Sequence, residues 1–273
     1  MIKGKISVLM GIYNCSNTLE EAVRSIQHQT YQDWELILCD DGSSDNTYDI
    51  AYKMAKEDNR IIVMQNDINL GLNKTLNKCF AVSSGEFIAR MDADDICLPD
   101  RFEKQLFCLK NKSGYDIVSS RMFLFDEDGE WGRTHQKEFP TVKDVVTGSP
   151  ICHAPVMMRR ECMEKVGGYT EDPKVIRVED VDLWIKLYAE GYRCYNIPET
   201  LYGMRNDKNA FIRRKYKYRI NSTRVRLKAC HHFKLNVTCY CQAFSPMISG
   251  LIPAGLRQTV RKYCGKYKKQ DIK

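Results

Sequence analysis

Asp92-Ala93-Asp94-Asp95 sets three carboxylates within four residues, directly behind the apolar run Phe87-Ile-Ala-Arg-Met91. If that run is a strand and its extended geometry persists, Asp92 and Asp94, two positions apart, point the same way. Gathered carboxylates repel one another and resist ionisation unless a cation neutralises them. A hard, oxygen-seeking divalent ion is the natural partner, and such ions bind through one or two carboxylates plus substrate phosphates. The plainer reading is an acidic loop in which Asp95 caps a helix ahead of Pro99. Asp40-Asp41-Gly42-Ser43-Ser44-Asp45 carries a similar ambiguity. Asp-Gly favours a turn, and Ser44 or Asp45 can cap a following helix. Two adjacent aspartates closing an apolar run also suit a base-binding role: a carboxylate there can accept the imide N–H of a uracil, with Tyr13 stacking on the ring. Glu179-Asp180-x-Asp182 either complements the positive end of a helix or supplies a general base near the cation. His153, a lone histidine in Cys152-His-Ala-Pro155, is most simply structural.

The elements that must position these groups alternate in kind. Ile6–Tyr13 reads as a strand, and Asn17-x-x-Glu20 as a capping box opening a helix to about Gln29. Strands follow at Trp34–Cys39, Ile61–Met64 and Phe87–Met91, separated by helices over Asp45–Glu57 and Gly71–Ser84. Such alternation implies right-handed crossovers and a mainly parallel sheet whose ligands gather at the carboxyl ends of its strands. Those ends carry Tyr13-Asn14, Asp40-Asp41, Asn66-Asp67 and Asp92–Asp95. Farther on, a helix over Asp100–Lys110, strands over Asp116–Phe125 and Pro155–Met158, a hairpin turn at Asp126–Gly129 and a helix over Asp180–Glu190 are expected, with a helix end at Gly167-Gly168-Tyr169.

The chain has 273 residues, 43% hydrophobic and 28% charged, which excludes disorder, a collagen-like chain and a small disulfide-stapled scaffold. Its net charge of +7 hides a division. Residues 1–204 hold 24 basic and 33 acidic side chains, whereas residues 205–273 hold 18 basic and 2 acidic. Such a tail attracts anions: a nucleic acid, an anionic membrane surface or a partner. Two apolar stripes bordered by Lys and Arg, Tyr216-Ile220-Thr223-Leu227 and Leu256-Val260-Tyr263-Tyr267, have the pattern of helices lying in a membrane interface, or of helices packed back on the body. Phe244, Met247, Ile248, Leu251 and Ile252 recur at helical spacing between them. The 12 cysteines form no CxxC pair, and with no secretory signal they indicate free thiols in a reducing, cytoplasmic setting.

Taken in order, six segments resemble the inverting family 2 glycosyltransferases of the GT-A fold: Ile6–Asn14, Asp40–Thr47, Asn69–Asn77, Gly85–Asp95, Gly167–Tyr169 and Glu179–Trp184. The resemblance covers about residues 4–205. It implies an α/β catalytic domain over 1–205, with a nucleotide-sugar-binding half to about residue 95 and an acceptor-binding half over 96–205, followed by a basic helical extension over 206–273. It also implies roles. Asp41 matches the uracil-recognising aspartate and Tyr13 the aromatic near the base. Asp92 faces ribose or metal-bound water, and Asp94 reaches the manganese or magnesium that bridges the diphosphate. Asp180 matches the catalytic base. Glu179, Asp182 and Trp184 order the helix and acceptor pocket, and His153 matches a family position near donor or acceptor.

The sequence departs from the pattern in places. Lys74 stands where many members carry an arginine and is the candidate for the phosphate-facing charge. The Gln/Arg-x-x-Arg-Trp motif of processive synthases is missing, which points to one sugar per acceptor engagement. Leu201-Tyr-Gly-Met-Arg205 resembles the family's Tyr-Arg segment, but the histidine that often follows is missing from Asn206–Asn209. The expectation is therefore a metal-dependent hexosyltransferase-like enzyme that moves a sugar from a UDP-sugar to a glycan or lipid-linked glycan. It would sit peripherally on the inner face of the cell membrane, with no nucleic-acid partner. The alternatives are a nucleic-acid- or membrane-binding protein acting through its tail, and an inactive scaffold of this fold.

Overall fold

The computed structural model describes residues 1–148, 150–206 and 215–251. One sheet runs through it in the order β3-β2-β1-β4-β8-β6-β9-β5, with β7 paired to β6 alone. The first half is parallel throughout: β1 (Ile2–Ile12), β2 (Trp34–Asp40), β3 (Ile61–Gln65) and β4 (Gly85–Arg90). They are connected by α1 (Leu19–Gln27), α2 (Thr47–Glu57) and α3 (Leu72–Val82). Strand β2 is buried at every position, as expected of a central strand covered on both faces. The capping box at Asn17 does not form. Thr18 precedes α1 instead, and its hydroxyl donates to the carbonyls of Cys15 and Ala93, tying the helix start to the loop after β4.

The second half is mixed. β5 (Ile96–Cys97) and α4 (Arg101–Asn111) lead into the hairpin of β6 (Ile117–Asp126) and β7 (Gly129–Arg133). Then come α5 (Val142–Thr147), β8 (Met157–Arg159), α6 (Arg160–Val166), a single 3-10 turn (Pro173–Val175), α7 (Glu179–Ala189) and β9 (Cys194–Arg205). β8 is antiparallel to both β4 and β6, so it joins the halves and makes the sheet continuous across the boundary near residue 95. β9 runs parallel to β6 and antiparallel to β5, and brings Tyr202 and Arg205 to the loop after β4. None of the described cysteines is in a disulfide.

The basic extension supplies α8 (Tyr216–His232), α9 (Val237–Ala243) and α10 (Ser245–Leu251). The face that α8 buries takes in Thr223 of the expected stripe together with Asn221, Val225, Arg226, Ala229 and Cys230, packed on α7 and on the turn before it, with Leu227 partly buried, while Tyr216 and Ile220 stay exposed. The reason is polar: the surface that α8 covers presents backbone carbonyls, and amide and guanidinium donors satisfy them where an aromatic stripe cannot. The second stripe, Leu256 to Tyr263 and Tyr267, lies outside the described residues. Among the described residues no helix is long and apolar enough to cross a membrane.

Candidate active site

The carboxyl ends of β1 and β4 open into a cleft of about 690 Å³ lined by Tyr13, Asn14, Asn17, Asp92, Asp94 and Arg205. Tyr13 is half exposed at its mouth. Next to it Asn14 takes up a left-handed backbone (φ 47°) and accepts a hydrogen bond from the Ser44 amide at 2.8 Å, which ties the β1 end to the β2 loop. Cys15 lines the same cleft, but burial pushes its thiol up to about 11, so it is no nucleophile at neutral pH.

The segment after β4 is a turn rather than a continued strand. The Asp95 amide donates to the Asp92 carbonyl, and Asp92 and Asp94 both line the cleft. Asp92 turns back onto Arg90, whose guanidinium donates to both of its oxygens, at 2.9 Å on one side. Its own amide is held by the Tyr202 hydroxyl at 3.1 Å. Asp94 faces the cleft, and among the described residues its carboxylate accepts from its own backbone N–H and from no other side chain. Desolvation, followed by the charge of Asp92, raises its pKa. Asp95 is buried at 1% exposure. One of its oxygens accepts from the Arg205 amide at 2.8 Å, while the other has no partner, and burial pushes its carboxyl well above the usual range. Asp95 therefore caps no helix.

Arg90 sits at the centre of the site and is itself only 6% exposed. Burial opposes its charge, but Asp92 together with the Tyr169 and Tyr202 hydroxyls outweighs that and keeps the guanidinium protonated. Its field also reaches His153, Tyr169, Glu179 and Asp180. His153 bonds the Tyr169 hydroxyl through Nε2 at 2.8 Å and meets Trp184 edge-on, with ring centroids 5.7 Å apart. Burial and Arg90 hold the imidazole well below its ordinary pKa, so it stays neutral. Glu179 and Asp180 open α7. Desolvation raises the pKa of both: Asp180's charge adds to the rise at Glu179, while the Val181 amide and then Arg90 restrain it at Asp180. A carboxylate raised toward neutrality by its surroundings is the condition for a useful proton acceptor.

Against this geometry the profile described as Glycosyl transferase family 2 matches residues 7–167. The chain belongs to that family. It is 39% identical over 259 residues to EpsE of Bacillus subtilis (strain 168), named as a glycosyltransferase, covering 94% of this chain and 93% of the relative. It is 25% identical over 191 residues to WfaP of Escherichia coli, covering 70% and 73%; that protein is named a UDP-Glc:α-D-GlcNAc-diphosphoundecaprenol β-1,3-glucosyltransferase. Among solved structures, Staphylococcus aureus TarS 1–349 in complex with UDP-GlcNAc superposes with a TM-score of 0.67 at 18% identity, covering 89% of this chain and 71% of that one. The fold is thus that of the GT-A glycosyltransferases, and this chain is a glycosyltransferase of family 2.

Within this family 2 domain the expected residues divide. Tyr13, Asp92 and Asp94 share the cleft, and His153, Glu179 and Asp180 meet the same Arg90. Asp41 is built in differently. It is 5% exposed, and its carboxylate accepts from the Asn66 amide (2.9 Å), the Leu70 N–H (2.8 Å) and the Gly71 N–H (2.9 Å). In this conformation it fastens the loop before α3 and has little left to offer a base. The neighbouring Gly42 is required by the same closeness. Its φ is +72°, and a Cβ there would lie 2.9 Å from the Ile68 carbonyl carbon. Lys74 projects from the first turn of α3, exposed and without an ion pair among the described residues. Asp182 accepts from the Thr170 hydroxyl at 2.6 Å and so orders the loop ahead of α7. Trp184 is 1% exposed, which makes it a wall behind His153 and no surface for an acceptor.

Sequence reasoning missed Arg90, because an arginine inside an apolar strand pattern reads as an outward-facing residue. It also missed Asn77, whose side-chain amide brackets Tyr169 by accepting from its N–H (2.8 Å) and donating to its carbonyl (2.9 Å). The usable signal there was Gly168, which has a φ of +69° and no room for a Cβ beside Asn77.

Proposed function

We propose that this glycosyltransferase moves a sugar from a UDP-sugar to a hydroxyl of a glycan or lipid-linked glycan with inversion, one sugar per engagement, and that Asp180 is the general base. The observation that carries this reading is the pairing, about the buried Arg90, of an Asp94 carboxylate that accepts only from its own amide and an Asp180 carboxylate raised by desolvation. The UDP-sugar is supported by the UDP-GlcNAc complex of TarS and the UDP-Glc in the name of WfaP, and the lipid-linked acceptor by the latter.

Asp180 takes the proton of the attacking hydroxyl as its oxygen bonds to the anomeric carbon and the bond from that carbon to the diphosphate breaks on the opposite side. The Val181 amide and then Arg90 restrain the rise that desolvation gives the pKa of Asp180, which favours the ionised form a base needs. Asp92, held by Arg90, keeps the wall of the cleft in place, and Tyr13 at the mouth offers a face to the uracil ring. Among the described residues no three His, Cys, Asp or Glu side chains are arranged to hold a metal alone. Asp94 fits the alternative, a magnesium or manganese ion bound through one carboxylate and completed by substrate phosphates. Such an ion would stabilise the negative charge that grows on the leaving nucleoside diphosphate. Lys74 is the further candidate for a phosphate contact.

The test is to screen nucleotide-sugars for metal-dependent hydrolysis and transfer, with thermal unfolding alongside. UDP plus manganese should raise the melting temperature, and Asp94→Ala should remove the shift. If no nucleoside diphosphate produces a shift with either metal, the reading is wrong. We place the enzyme peripherally on an anionic membrane at the cytoplasmic side, on the strength of the basic extension and of the exposed Phe244, Ile248 and Leu251 on its last described helices. Salt-sensitive flotation with anionic vesicles, and none with neutral ones, is the expected result. Equal binding to both would remove the electrostatic part of this placement.

A further inference from the structure

The basic extension has a second role that its charge does not announce. Helix α8 contacts the turn ahead of Glu179-Asp180 and the end of α5, which packs on the same helix α7. On one side Asn221 donates through its amide to the carbonyls of Pro173 and Ile176, both at 3.3 Å, in the turn that delivers the chain to α7. On the same side Val225 packs with Val175, Val178 and Val181. On the other side Arg226 donates to the carbonyls of Val146 (2.7 Å) and Gly148 (2.9 Å), where α5 ends and the chain sets out toward His153. Its Nε is held by Ser222 at 3.2 Å, so the fork is fixed in orientation.

Arg226 is an expensive choice for a helix that only needs to pack. It is 7% exposed and forms no ion pair among the described residues. A buried guanidinium without a carboxylate partner costs stability that an apolar side chain of similar volume would not. Burial depresses its pKa, and the group that offsets this most is Asp180.

We infer that Arg226 is a positioning residue for the catalytic base: with Asn221 it bridges the loop after α5 and the turn before α7, and so fixes the Asp180 carboxylate against the acceptor hydroxyl. The extension is then part of the catalytic apparatus and not only a means of attachment. This rests on the assignment of Asp180 as base. The charged and titratable groups around that carboxylate are Glu179 on its own helix, Arg90 on β4, Tyr169 on the loop after α6 and Arg226 on α8.

The full-length protein is the material for the test, with transfer rate, UDP-plus-manganese thermal shift and the pH profile of kcat/KM as readouts. Asp180→Asn comes first: if it transfers sugar at the wild-type rate, the assignment of the base fails and this inference falls with it. If it is inactive, Arg226→Met and Arg226→Lys decide. Arg226→Met should lower kcat by roughly 10²-fold, as a small misplacement of a reacting group does. It should also move the acid limb to higher pH, since a positive charge near Asp180 is gone, and leave the UDP shift intact. Arg226→Lys keeps the charge but cannot span both carbonyls, so kcat should fall while the acid limb stays in place. Asn221→Ala should lower kcat less and leave the limb unmoved. Folded Arg226 variants with wild-type kcat and an unmoved acid limb would overturn the inference, as would failure of both variants to fold, which would make Arg226 a stability element alone.

Discussion

Two groups of acids stand at the same edge of one sheet and are treated in opposite ways. Behind β2, Asp40 accepts from the Ser43 amide and the Gln65 side chain, and Asp41 accepts from three N–H groups. Behind β4 and at the start of α7, Asp94, Asp95, Glu179 and Asp180 have few donors, and desolvation raises the pKa of all four. The first group has been spent on folding a loop, and the second has been left dissatisfied. A carboxylate at a strand end is therefore a candidate for chemistry only when the surrounding N–H groups leave it available.

The comparison can be broken most severely at Asp180. Asp180→Asn should reduce kcat by roughly 10²- to 10⁴-fold, with the UDP-plus-manganese thermal shift retained; steady-state kinetics beside a melting curve reads both. Asp41→Ala should do the reverse. It strands the Leu70 and Gly71 amides and the Asn66 side chain, and should cost about 3 kcal/mol in a urea titration. A stable Asp41→Ala protein that no longer binds UDP would move Asp41 into the reactive group and return it to the base-recognition role that its motif implies.

Asp94→Ala should leave the stability of the free enzyme unchanged or slightly higher, since its carboxylate is desolvated and accepts only from its own amide. It should forfeit the stabilisation by ligand, which is about 2.7 kcal/mol when ligand stands at a hundred times its Kd. The smallest effect should be Asp95→Asn. A carboxyl raised by burial contributes stability that is complete below its unfolded pKa of about 3.9 and is lost as pH rises through its folded value. The variant should therefore melt above wild type at alkaline pH, with the difference closing on acidification. Asp58 is the control of opposite sign. Arg60, chiefly, holds its carboxyl at about 2, so its contribution is present above the unfolded value and lost only as pH falls through 2.

Much of the first half was legible because its code is local. Strand-length apolar runs ending in Tyr13-Asn14, Asp40-Asp41 and Asp92–Asp95 put candidate groups on one edge, and the parallel register of β1, β2 and β4 brings them there. The second half was less so. The strand expected near Pro155–Met158 is β8, but β9 carries Pro198 and Glu199 in its middle and does not advertise a strand, and the pairing of both is a long-range matter. In α8 the stripe divides, with Thr223 buried and Tyr216 and Ile220 exposed, and Asn221 and Arg226 turn inward because the carbonyls at residues 146, 148, 173 and 176 need donors.

By itself the sequence determined which residue types lie behind which strands, and with them the family and the class of reaction, since side-chain alternation and strand order follow from local pattern. Only the tertiary structure decided which carboxylates are already committed. That depends on N–H groups, on Arg90 and on Arg226, which come from distant parts of the chain, and whether a buried charge finds a donor within hydrogen-bonding reach has no signature in the residues beside it.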